Sequence, residues 1–115
     1  MTSEAFAIPD EVELFEFFGA DPVERSVDDG YWCYEVVDAR NIRLRFSFNL
    51  FEQSVQTTLQ AAGTPLVTVV HEGAQTMWVS EQTLTCRFSY AGAQATLVLR
   101  LVDSIKLEWS SLRTV

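Results

Sequence analysis

Ile42-Arg43-Leu44-Arg45-Phe46-Ser47-Phe48-Asn49 alternates apolar and polar residues through eight positions without a fault. A period of two is the mark of a strand with one face buried and one face wet. Ile42, Leu44, Phe46 and Phe48 therefore point into a core, and Arg43, Arg45, Ser47 and Asn49 point away from it. A slip of one residue would bury both arginines, so the pattern also fixes which face is which.

Working outward, Tyr31-Trp32-Cys33-Tyr34-Glu35-Val36-Val37 is aromatic and β-branched, and Asp38-Ala39-Arg40-Asn41 turns the chain back, so the two stretches predict a hairpin. Pairing apolar with apolar sets Trp32 opposite Phe46, Tyr34 opposite Leu44 and Val36 opposite Ile42, with Glu35 facing Arg43 on the outer side. Downstream, strands are predicted over 55–59, 66–71, 75–79, 83–90, 94–101 and 105–109, separated by Ala62-Gly63, Gly73, Ser80-Glu81-Gln82, Ala91-Gly92 and Asp103-Ser104. Leu66–His71 has the β-branched density of a well-buried strand. Leu84, Cys86, Phe88, Tyr90, Leu97, Leu99, Leu101, Ile105, Leu107 and Trp109 fall on the inward phase.

Upstream the period changes. Asp10 precedes Glu11-Val12-Glu13 as a helix cap, with acids crowding the first turn where the helix dipole favours them, and Gly19 stands where a helix ends. A helix over 10–18 carries Val12, Leu14, Phe15, Phe17 and Phe18. Its phenylalanines require cover from the sheet or from a second subunit, which leaves room for a homodimer. Residues 1–9 read as a loose lead-in and 19–30 as a long connection. With no second helical segment between strands, parallel crossovers are excluded. The expectation is an α+β, mainly β fold in which one N-terminal helix is followed by a roughly eight-stranded antiparallel meander. Curved sheet, sandwich and partial barrel all satisfy the pattern.

The 115 residues fit a single domain spanning 1–115 with a core of its own; 48% are hydrophobic and eight are Phe. The first ten residues lack the basic start and apolar core of a signal peptide. No stretch approaches the ~18 apolar residues of a membrane helix, so no membrane association is expected and a cytoplasmic location is. Cys33 and Cys86 lie apart without zinc-type spacing and read as buried thiols.

Charge is strongly uneven. Residues 1–38 hold eleven acids and one base, a balance of -10, while 39–115 hold seven bases and five acids, +2, which together give the net -8. Such a chain is a poor ligand for nucleic acid and attracts basic protein surfaces. Glu24, Asp28 and Asp29 are the candidate partner-binding acids. Trp78, out of phase with Met77 and Val79, is a candidate partner-contact ring. No GxSxG, HExxH, phosphate-loop or dinucleotide fingerprint is present, so no catalytic residue, metal or cofactor is assigned. The reading is a non-enzymatic protein-binding domain, such as a bacterial immunity-type protein that neutralises a toxin. A ligand carrier or enzyme with a cavity inside a curled sheet is the alternative, with Tyr34, Arg45 and the single histidine, His71, at the pocket. Truncating the central strand tests its placement: Phe46→Ala should lower unfolding stability by about 3–5 kcal/mol in a denaturant titration.

Overall fold

The computed structural model describes residues 5–113, with side chains through Ser110. Among the described residues the chain forms one helix, α1 (Glu11–Phe18), and nine strands. The strands are β1 (Glu24–Ser26), β2 (Tyr31–Val37), β3 (Ile42–Asn49), β4 (Ser54–Ala61), β5 (Thr64–Glu72), β6 (Ala74–Ser80), β7 (Thr83–Tyr90), β8 (Ala93–Arg100) and β9 (Lys106–Arg113). Every pairing is antiparallel between strands consecutive in sequence, in two sheets of order β1-β2-β3-β4-β5 and β6-β7-β8-β9. The meander is therefore folded in half, and the sheets do not close into a barrel. The added strand is β1, inside the stretch expected to be a connection. Three polar residues are too few to show a period.

The fold in the meander lies at Gly73. Its backbone has φ +73°, a left-handed conformation that favours glycine, and its carbonyl accepts from Ser89 N at 2.9 Å. A Cβ at this position would lie 2.1 Å from the Ser89 carbonyl oxygen. The chain can thus pass from β5 into β6 only as a bare backbone pressed against β7.

Both sheets contribute to one core: Trp32, Tyr34, Leu44, Phe46, Phe48 and Val55 from the first, Met77, Leu84, Cys86, Phe88, Leu97 and Leu99 from the second. α1 adds Leu14 and Phe18, the latter stacked on Tyr34 at 4.4 Å. Asp10 caps the helix by accepting from Glu13 N at 2.8 Å, and Gly19 ends it with φ 72°. Only part of the expected apolar helix face is buried, however: Val12 and Phe15 are exposed. Phe6 joins the core beside Phe48, and Ala7 bridges to Thr76, so this part of the lead-in is fixed in place. Residues 1–4 lie outside the described residues.

The β2–β3 register is two residues from the expected one, with Trp32 opposite Phe48, Tyr34 opposite Phe46, Val36 opposite Leu44 and Glu35 opposite Arg45. The cause is the turn. Asp38 N donates to Ile42 O and Asn41 adopts φ 62°, a tight loop centred on Arg40, one residue later than the expected centre at Ala39. A shift of two leaves every side chain on its expected face.

β5 departs most from its sequence reading. It is an edge strand, exposed along nearly its whole length, with Leu66, Val67 and Val70 open to solvent. β-Branched density records fitness for a pleated surface, which edge and centre share. Trp109 pairs with Leu97 and so shares its inward face, yet it is 37% exposed because β9 is also an edge. Tyr90, beside the β7–β8 turn, is exposed as well. Gly73→Ala should cost about 3 kcal/mol or more, since a backbone carbonyl must move and the φ is unfavourable for alanine. A denaturant midpoint unchanged from wild type would contradict the corner described here.

Candidate functional site

α1 places Glu13, Glu16 and Phe17 on one side, since residues three and four apart share a helix face. Opposite them stand Val79 near the end of β6, Gln82 in the β6–β7 turn, and Leu101 and Val102 in the loop after β8. Together these seven residues line an open groove of about 310 Å³. Phe17, Val79 and Leu101 pack against the core and form its floor. Glu13 and Glu16 form an acidic lip, and Val102 is an exposed apolar knob on the other side.

Two local features hold the far wall. The β6–β7 turn has Glu81 at φ 49° and Gln82 at φ 63°, a two-residue hairpin turn made without glycine. The loop after β8 is fastened from the other sheet by Asp38, whose side chain is 4% exposed. Ile105 N donates to Asp38 Oδ2 at 3.0 Å, and Arg40 Nη2 donates to Ile105 O at 3.1 Å. Asp38 Oδ1 also accepts from Arg40 N at 2.9 Å and Ile42 N at 3.1 Å. The Ile105 N–H, with the others behind it, holds the Asp38 carboxyl down at about 2. In sequence Asp38 counted only as a turn acid.

An apolar floor beneath two carboxylates suits a long basic side chain. Phe17, Val79 and Leu101 can take the methylenes of a Lys or Arg side chain, with Glu13 and Glu16 placed to accept its charged head. The residues lining the groove include no Ser, Thr, Cys, His or Lys. Glu13 and Glu16 were legible as helix acids, but nothing in the sequence brought them opposite Leu101 and Val102.

The acids singled out from sequence lie elsewhere. Glu24, on β1, is ion-paired with Arg45, and Asp28 and Asp29 occupy the β1–β2 turn, where Asp29 accepts from Ser26 Oγ at 2.7 Å. Trp78 is on the face of β6 opposite to Val79, 36% exposed, with the Arg87 guanidinium 5.5 Å from its ring centre. Arg43 and Arg45 both bind Glu35, at 2.8 and 2.6 Å, so the outer face of the first sheet is neutralised internally.

Tyr34, Arg45 and His71 do not meet in one cavity. Tyr34 is buried against Phe18, Arg45 points to the outer face of the same sheet, and His71 stacks on Phe88 at 4.7 Å. Tyr34 and His71 are on β2 and β5, with β3 and β4 between them. Burial keeps the His71 imidazole below its ordinary pKa, so it is neutral at pH 7. No group of three or more His, Cys, Asp or Glu among the described residues is arranged to hold a metal, and no helix among them is long and apolar enough to cross a membrane.

No protein-family model matches the sequence, and no curated protein matches it. A solved structure does share the fold: a chain from the contact-dependent growth inhibition toxin–immunity protein complex of Klebsiella pneumoniae 342. The two superpose with a TM-score of 0.83 over 97% of this chain and 100% of that one, at 21% sequence identity.

The Asp38 latch makes a pH-dependent prediction. A carboxyl lowered on folding stabilises the native state fully above its unfolded value of 3.8, and that stability is lost as pH falls toward about 2. Asp38→Asn should be less stable than wild type at pH 7 and should show a flatter decline across that acid window in denaturant titrations.

Proposed function

We propose that this chain is a non-enzymatic, cytoplasmic immunity-type protein that neutralises a protein toxin by binding a basic part of its surface in the groove beside α1. The observation that carries this reading is the end-to-end likeness to a chain of a toxin–immunity protein complex. The likeness runs over 97% of this chain and 100% of that one, so it covers the two sheets, the helix and the groove between them.

Charge supports the same assignment. Residues 1–38 carry -10, and α1 brings two of those acids over an apolar groove open to solvent. Acids already tied to Arg25, Arg43 and Arg45 are weaker lures, since their charge is locally cancelled. Asp28 and Asp29 add to the long-range field that draws a basic partner in. Glu13 and Glu16 make the contact.

The test begins with recovery of the partner from the native host and continues with association kinetics. Expression of this chain should restore growth to cells producing the recovered toxin. Glu13→Lys with Glu16→Lys should slow association by about tenfold or more while leaving folding stability nearly unchanged, and the wild-type rate should fall with added salt. Recovery of a small metabolite in place of any macromolecule would reject the reading.

A further inference from the structure

The four sheet edges are treated differently. β1 is three residues long; the free side of β6 is occupied by the lead-in, with Ala7 N donating to Gln75 O and Met77 N to Ala7 O; β9 carries Lys106 and Glu108. Short length, a covering segment and charged residues are the ordinary ways to keep an edge from pairing with another chain. β5 has none of them over its main run. Pro65 and the bulge opposite Gln60 disturb only its first residues, and Leu66–Val70 contains no charge. Leu66 is 62% exposed and Val70 53%.

We infer that β5 is the dimerisation edge of this protein and that its occupant is a second copy of the same strand, paired antiparallel about Thr68. Its sequence is self-complementary about that centre. Val67 would stand opposite Val69, Leu66 opposite Val70, and Thr64 opposite Glu72, so no like charges meet. On the outer face Leu66 and Val70 of the two copies close into one apolar patch. The Thr58–Thr68 hydroxyl pair at 3.1 Å continues across the axis to its counterpart. The two five-stranded sheets become one sheet of ten, within the size that twisted sheets reach.

Electrostatics separates this edge from the groove. A basic partner is drawn to Glu13 and Glu16, whereas a neutral strip offers it nothing. Two chains of net charge -8 repel, and salt screens that repulsion, so the dimer should tighten with salt while partner binding in the groove weakens. The inference is independent of the toxin assignment.

Sedimentation velocity of the full chain across a concentration series at low and high salt tests it. The expected result is a mass rising from 13.0 kDa to twice that value with concentration, at lower concentration in high salt. Val70→Lys, at an exposed position, should remain monomeric throughout with an unchanged circular dichroism spectrum. Thr68→Cys should form an intermolecular disulfide on mild oxidation, because Cys33 and Cys86 are buried and cannot compete. A wild-type chain that stays monomeric at every concentration and salt, or a Thr68→Cys chain that gives no cross-link, would overturn the inference. So would loss of the recovered partner's binding in Val70→Lys with the wild type monomeric, which would give the edge to that partner.

Discussion

The architecture depends on one close backbone contact, that of Gly73 with Ser89. A meander left flat would expose the apolar face that β2–β4 and β6–β8 share, and it avoids this by folding in half where the chain can pass against β7 without a side chain. Two sheets then share one core, with α1 over part of the remaining opening. At the opposite margin, Asp38 and Arg40 grip both the N–H and the carbonyl of Ile105. A fold closed by one corner and one latch leaves the ends of its hairpins free to form a surface.

That surface follows from where the latch acts. By holding Ile105, the β2–β3 turn fixes the start of β9 and with it the Leu101–Val102 wall of the groove. Glu13 and Glu16 are fixed from the other side by Phe18 stacked on Tyr34. The acidic groove is thus a consequence of core packing and of the latch that holds the loop after β8. Its asymmetry of charge and apolar area is what a binding protein requires and what the toxin-neutralising role proposed above would use.

The strands with faultless alternation, 42–49 and 83–90, were legible to the residue, as were the helix and both of its caps. Period and capping are local, so sequence alone expresses them. The β2–β3 register was displaced by two because it depends on hydrogen bonds inside the turn, which composition does not specify. The Val and Thr of β5 suggest burial but mark strands without distinguishing edge from centre, and the strand is an exposed edge. The groove was invisible for a different reason: residues 13–17, 79–82 and 101–102 are brought together only by tertiary folding. Charge and phase point to Glu24, Asp28, Asp29 and Trp78, which the structure separates onto β1, the β1–β2 turn and β6.

If the proposed macromolecular partner occupies the groove between α1 and the β6–β7 and β8–β9 connections, the backbone amides lining it should be shielded on binding. Hydrogen–deuterium exchange of the chain with and without the partner recovered from the native host reads this out. Slowed exchange across residues 11–18, 81–82 and 101–105 is expected, with the β1–β2 turn little changed. Protection confined to other segments, with these amides exchanging as in the free protein, would contradict it.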